Sequence, residues 1–318
     1  MTQSTTKPIL LIDASIYIFQ YYFSLPDHWF SEDDSWPTAA VYGYTAFLIR
    51  LLIEQKPQNI AACFDESLET CFRNTIYPDY KSSRALPDEA LVFQLEACKQ
   101  VSELLGIKTF ASERYEADDL IGSLYQQLKH HSAPMAVLTR DKDLGQIIKR
   151  DDDYLWDYAQ YKPTVSENSL RASQYYTQDL VKKWGVKPAQ FADFLALVGD
   201  SIDDIPGVPG IGKKTAAYLL GVFDSLEAMF NQLDLIRAMS LRGAKSLPDK
   251  LLKYQEQIRM AKKLATIYCK AKLINEVNDI ALKPCDIGVA TEYFRLMGFP
   301  KLSQRLGQLP NIIADKNL

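Results

Sequence analysis

The chain has 318 residues, 47% of them apolar, and a formal net charge of −4. That length buries a real core and suggests about two domains; no apolar run reaches a membrane span, and Met1 to Pro8 is short and polar, unlike a secretory signal. Five cysteines without a CxxC pair, Cys63, Cys71, Cys98, Cys269 and Cys285, argue against a disulfide scaffold and a zinc knuckle and read as reduced, mostly buried thiols of a soluble intracellular protein.

In chain order, Ile9 to Ile12 is an apolar run ending in Asp13, the pattern of a buried strand with a carboxylate at its C-terminal tip. A helix follows from Ser15 to Phe23, then a polar loop from Pro26 to Pro37. Helical spacing resumes from Val41 to Gln55 until Pro57 stops it. Ile60 to Phe64 is a second strand and also ends in an aspartate, Asp65. Residues 70–92 mix aromatics, basic residues and breakers without core periodicity and read as an exposed connection. A helix from Leu91 to Leu105 is closed by Gly106, a brief strand runs over Lys108 to Phe110, and a helix occupies Leu120 to Lys129. Met135 to Thr139 is the next strand and leads to Arg140-Asp141-Lys142-Asp143. The strand pattern fades after Tyr154-Leu155-Trp156. From about Thr177 the chain reads as helices and turns, which puts a soft boundary near residue 180.

Asp13, Asp65 and Asp141 therefore each follow an apolar strand in an alternating strand and helix pattern. That pattern predicts an α/β, doubly wound, mainly parallel sheet, with a ligand crevice outside the carboxyl ends of its strands. Glu116-Ala117-Asp118-Asp119 opens a helix. Taken alone it is an ordinary acidic first turn, stabilised by the helix dipole. Three carboxylates in four positions that converge with others repel one another unless cations hold the site together. Gly199-Asp200-Ser201-Ile202-Asp203-Asp204 adds Asp200 and Asp203, three apart and able to share a cation from one turn; by itself this is a solvated turn.

The stretch Gly207-Val208-Pro209-Gly210-Ile211-Gly212-Lys213-Lys214-Thr215 is not a phosphate-binding P-loop. Lys214 stands where the hydroxyl belongs, Pro209 removes an amide donor, and no strand precedes it. It fits a helix-hairpin-helix turn, in which Gly207, Gly210 and Gly212 let the backbone approach a DNA phosphate and the next helix presents its N-terminal amides. Gly221 is expected to cap that helix. Ile205 to Lys263 carries ten Lys or Arg against five Asp or Glu, a net +5 that supplies non-specific phosphate attraction. His28, His130 and His131 assemble no triad, and Ser15 and Ser201 have no base beside them.

Leu11-Ile12-Asp13, Phe64-Asp65, Tyr80-Lys81 with Arg84, Glu116-Ala117-Asp118-Asp119, Thr139 with Asp141-Lys142-Asp143, and Gly199-Asp200-Ser201 through Gly212 appear in one order. With Arg242-Gly243-Ala244-Lys245 and Leu264 to Ile267 behind them, the sequence resembles the structure-specific 5' nucleases: the flap endonucleases and the 5'-3' exonuclease domain of bacterial DNA polymerase I. The resemblance runs from about residue 8 to 290. It implies a PIN-like nuclease domain over 1–180 with a helical gateway at about 70–92, and a helical, DNA-binding helix-hairpin-helix domain over 181–318. It implies two Mg²⁺ or Mn²⁺ ions about 3.5–4 Å apart. Asp13, Asp65, Glu116 and Asp118 resemble one ligand set with Asp119 acting near it, and Asp141, Asp143, Asp200 and Asp203 the other. Lys81, Arg84 and Asp119 are the further catalytic candidates. Tyr80, Lys81, Arg84, Gly207, Gly210, Gly212, Lys213, Lys214, Thr215, Arg242 and Lys245 are the DNA-contact candidates, Tyr80 as a platform for an unpaired base. The resemblance also allows a potassium ion at the hairpin turn. It implies branched or nicked DNA as partner, no membrane, and a free-standing protein of the bacterial cytoplasm and nucleoid. Two departures stand out: Gln20 where a phosphate-contacting arginine is expected, and Arg140 where glycine is common. A branched-DNA-binding module without turnover and a PIN-like ribonuclease are the alternatives.

Overall fold

The computed structural model describes residues 7–26, 28–67, 70–158 and 173–312. Its sheet has six strands: β1 Ile9–Asp13, β2 Ile60–Asp65, β3 Lys108–Ser112, β4 Met135–Leu138, β5 Tyr154–Trp156 and β6 Gln174–Tyr176. The order is β3-β2-β1-β4-β5-β6, parallel except for the antiparallel β6 at one edge. The uninterrupted apolar runs of β1, β2 and β4 are buried on both faces, which parallel strands covered by helices require. The short β6, Gln174-Tyr175-Tyr176, carries no such run and is an addition to the expected set.

Helices α1 Ala14–Ser24, α2 Ala39–Gln55, α3 Phe72–Ile76, α4 Glu89–Leu104 and α5 Ala117–Leu128 connect the first strands. Leu10, Ile12 and Ala62 face a core shared with α1, α2 and α4, while Ile9, Leu11 and Cys63 face α5 across the sheet. Strand order reverses between β1 and β4, which lie side by side and parallel with Ile12 paired to Leu138. Asp13 and the Thr139 to Asp143 segment therefore leave the sheet side by side, at the switch point where doubly wound sheets bind ligands.

A second core is helical. It unites α6 Thr177–Trp184, α7 Phe191–Val198, α8 Lys213–Phe223, α9 Leu226–Phe230, α10 Leu233–Arg237, α11 Leu247–Lys253 and α12 Gln255–Ala265 around Phe191, Leu195, Leu219, Met229, Leu251 and Ile258. Helix α8 runs through Gly221 and ends at Asp224, which takes the left-handed cap conformation at φ 65°. Gly221 is thus an interior helix position, because the apolar face of α8 continues to the buried Phe223. The helical region from 181 onward is not one packed unit either. Lys283 N–H bonds to the Gly106 carbonyl, and α13 Ile287–Leu296 with the 3-10 helix Pro300–Gln308 buries Phe294, Leu302 and Leu306 in the α2 and α4 layer. Among the described residues no helix is long and apolar enough to cross a membrane, and all five cysteines are free thiols.

Candidate active site

The strand tips bring the acids together through short backbone-anchored links. Asp13 accepts the Ile16 N–H at 3.5 Å as cap of α1 and the Thr139 hydroxyl at 2.8 Å. The Thr139 hydroxyl in turn accepts the Asp141 N–H at 2.9 Å, and Asp141 accepts the Asp143 N–H at 2.8 Å. Thr139 thereby sets the β1 and β4 acids relative to each other. Asp65 accepts the Ala117 N–H at 2.7 Å, tying the tip of β2 to the first turn of α5. Glu116 caps that helix in a reciprocal capping box with Asp119.

Electrostatics shows that these groups face one another. Burial, then Asp141, Asp13 and Asp65, push the Asp118 carboxyl well above the usual range. Burial, then Asp65, raise Asp13 to about 7. Asp65 and Asp141 are also raised, chiefly by burial. Asp143 is raised to about 7 by burial, Asp141, Asp200 and Asp203, with Lys142 opposing. Its buried Oδ1 has no hydrogen-bond partner, only the Lys142 ammonium at 3.3 Å. Asp141 belongs to both groups of acids and joins them.

A cationic latch closes over this crevice from the 70–84 segment. Arg73 is 3% exposed; it forks onto Asp119 with two 2.7 Å contacts, reaches Glu116 at 2.9 Å, and donates to the carbonyls of Leu264 and Thr266 at the C-terminal end of α12. Lys81 pairs with Glu116 and lies 3.8 Å from Asp203, and Arg84 pairs with Asp203 at 2.5 Å. Burial alone would raise Glu116, but Lys81 and Arg73 outweigh it and hold the carboxyl below its usual range. The Lys81 N–H to Asp203 carbonyl bond and the Ser83 N–H to Asp204 carboxylate bond pin the segment to the 200–204 turn. Its helical part is only the five-residue α3, the rest being turns.

Several expectations are corrected by this geometry. Asp119 is fully buried, with both oxygens taken by Arg73 and one also by the Tyr268 N–H at 2.8 Å, so it braces α5 instead of entering the crevice beside Asp118. Tyr80 is 4% exposed, packed in the helical core with its hydroxyl donating to Glu116 at 2.9 Å, and no face is free for a base. The 70–92 connection is not simply exposed, since Arg73 and Tyr80 are core residues within it. Among the described residues, no three acids form a ready-made metal cage. The reason is visible in the ion pairs: Glu116, Asp203 and Asp200 are drawn to Lys81, Arg84 and Lys142. Arg73 and Thr139 were not singled out by sequence as site residues; an arginine amid aromatics and breakers was the one signal for Arg73.

The hairpin turn is built from close backbone approach. A Cβ on Gly207 would sit 2.1 Å from the Val198 carbonyl oxygen, and Gly210 has φ +81°, whereas a Cβ on Gly212 meets nothing within 4 Å. Gly212 precedes α8, where Lys213 and Lys214 are exposed and Thr215 half-buried. Arg242 and Lys245 are exposed on the later turn. Gln257 donates to the Gly207 carbonyl at 2.9 Å and Lys250 to the Pro209 carbonyl at 3.0 Å, so two carbonyls of the turn carry protein donors. Gly207→Ala is expected to destabilise the fold by about 1–3 kcal/mol. Gly212→Ala should leave the melting temperature unchanged and weaken only DNA binding; equal melting temperatures for the two variants would refute the packing difference.

Two family models cover the chain in succession: the 5'-3' exonuclease N-terminal resolvase-like domain over residues 8–185 and the 5'-3' exonuclease C-terminal SAM fold over 186–287. The 5'-3' exonuclease of Buchnera aphidicola subsp. Schizaphis graminum is 32% identical over 284 residues, 89% of this chain and 94% of that protein. DNA polymerase I of Bacillus subtilis is 32% identical over 305 residues, 95% of this chain but 32% of the polymerase. In fold, the chain matches T5 5'-exonuclease, solved with zinc, at TM-score 0.60 and 18% identity, covering 95% of this chain and 99% of that one. It matches the catalytic core of Rad2 in complex with DNA substrate at TM-score 0.61 and 14% identity, covering 95% and 91%. Both family models in sequence, and a relative aligned over nearly the full length of both chains, place this chain in the 5'-3' exonuclease family.

Proposed function

We propose that the chain is a divalent-metal-dependent DNA 5' nuclease that hydrolyses phosphodiester bonds near the 5' end of branched or nicked duplexes. The observation that carries this reading is the convergence of acids from three strand tips, the start of α5 and the 200–204 turn on one crevice, with the buried Asp143 Oδ1 lacking a hydrogen-bond partner. So many facing carboxylates suit Mg²⁺ or Mn²⁺, hard cations that take oxygen ligands. Asp13, Asp65 and Asp118, with Glu116, would hold one ion; Asp141, Asp143, Asp200 and Asp203 would hold the second. When bound there, two such ions would supply Lewis-acid activation of water and charge neutralisation at the phosphodiester.

The chain's own residues do the remaining work. Thr139 and the Ala117 N–H fix the acids, so little reorganisation is needed at the moment of reaction. Lys81 and Arg84 now neutralise Glu116 and Asp203; on release from them they provide the charge facing the scissile phosphate. Lys213, Lys214 and the α8 amides beyond Gly212 grip the duplex backbone, and Lys250 serves as the turn's own cation.

End-labelled 5'-flap, nicked and gapped DNA with matched RNA flaps, assayed with Mg²⁺ and with EDTA, tests the reading. Metal-dependent cutting of the DNA substrates is expected. Tight binding without cutting would favour a recruiting module, and preferential RNA cutting a ribonuclease.

A pH signature accompanies it. Asp13 and Asp143 titrate near 7 in the fold against an ordinary value of 3.8, so between those values the folded state holds more protons than the unfolded one. Their contribution to stability is complete below about pH 4 and is lost as pH rises through 7. Melting temperature in metal-free buffer should therefore fall between about pH 4 and 7 and level off above, and Mg²⁺ should raise it more at pH 8 than at pH 5. An equal Mg²⁺ response at both pH values would contradict the acid clustering.

A further inference from the structure

Gln20 and Arg140 meet in the fold, with Arg140 Nη1 donating to Gln20 Oε1 at 3.2 Å. Arg140 Nε lies 3.4 Å from Asp157 Oδ2, just past the tip of β5. Asp157 is nearly buried, while the Arg140 side chain remains 41% exposed. Simple neutralisation of Asp157 would favour a short, two-pronged pairing. The closest approach is a long 3.4 Å, and the second anchor is a neutral amide that consumes no charge. A guanidinium has five N–H donors, and these two contacts use two of them.

The location gives that cation a purpose. Arg140 lies between Thr139 and Asp141, both part of the acid scaffold, and Gln20 lies on α1, the helix capped by Asp13. Lys81 and Arg84 pair with Glu116 and Asp203, whereas Arg140 stands on the β5 side of the crevice. An acid-lined crevice repels a phosphodiester backbone, so a cation at its rim is needed to seat one. Two anchors restrict a flexible side chain before DNA arrives, which reduces the ordering cost of contact.

We propose that Arg140, oriented by Gln20 and Asp157, contacts a backbone phosphate of the DNA at the β5 rim of the crevice, and that positions 20 and 140 are interchangeable hosts for that guanidinium. This rests on the reading of the crevice as a DNA-cleaving site. The variants are Arg140→Gln and the exchange Gln20→Arg/Arg140→Gln, which keeps composition and charge. Binding of a labelled 5'-flap duplex is measured in Ca²⁺ between about 50 and 200 mM salt, alongside Mg²⁺-dependent cleavage and thermal melting.

Arg140→Gln is expected to raise Kd and KM about tenfold and to lower the slope of log Kd against log salt by about 0.9, with the melting temperature held. The exchange variant is expected to restore affinity, slope and KM to within about threefold of wild type. An unchanged Kd and slope in Arg140→Gln would overturn the proposal, as would a loss that follows the melting temperature and is not restored by the exchange. Wild-type protein that cuts normally while Arg140→Gln shows no defect refutes this inference alone. Wild-type protein that neither binds nor cuts DNA refutes the nuclease reading itself.

Discussion

Asp141→Asn is expected to lower metal-dependent cleavage of a 5'-flap duplex by at least about 10³-fold, the scale of losing a main electrostatic group in an active site. Binding in Ca²⁺ should remain measurable. Asp141 bears on Asp13, Asp118 and Asp143 together, so its charge contributes to both groups of acids. Asparagine keeps the side-chain oxygen that accepts the Asp143 N–H and leaves the backbone N–H that donates to Thr139, so the scaffold survives. Removing one repelling charge should also raise the melting temperature of the metal-free protein. More stability with no turnover is a combination that misfolding cannot produce. Gel analysis of labelled product and a melt in EDTA read both effects, and full activity would sink the assignment of the crevice.

The largest stability effect is expected at Arg73. Arg73→Met leaves the fully buried Asp119 and the mostly buried Glu116 without their guanidinium, and breaking a buried ion pair costs about 3–5 kcal/mol. For a chain of this size that corresponds to a fall of roughly 5–8 °C in melting temperature. Arg73→Lys should recover only part, since an ammonium cannot fork onto Asp119 while reaching two carbonyls. The double variant Arg73→Met/Asp119→Leu should be more stable than Arg73→Met, because it removes the stranded charge. An unchanged melting temperature in Arg73→Met would show that the Arg73, Glu116 and Asp119 cluster does not support the fold. Cleavage should fall as well, since Arg73 fixes the capping residue of α5 and with it the aim of Asp118.

Much of the scaffold was legible before any coordinates. β1, β2 and β4 are unbroken apolar runs that end at an aspartate or a threonine, and the parallel order with its switch point follows from the alternation of strands and helices. The pairing of Asp118 and Asp119 was not separable in the same way. Successive helix residues point about 100° apart, so of two adjacent acids one enters the crevice and one faces the core. Which is which depends on Arg73, 46 positions earlier. Tyr80 was misjudged for a related reason: an aromatic ring with a hydroxyl suits a buried site with one polar contact as well as an exposed platform, and Glu116 decides between them.

Local spacing and residue type by themselves determined the parallel core, the acidic strand tips and the glycine-built hairpin turn, because each depends on neighbours within a few positions. Only the tertiary structure decided which acids face one another, that Arg73 and Asp119 brace α5 from behind, that Lys81 and Arg84 bind the acids opposite them, and that the chain from Leu282 returns to the α2 and α4 layer. Those choices are made by contacts between residues tens to hundreds of positions apart. Coulomb energy and burial act on distance in space, which spacing along the chain does not encode.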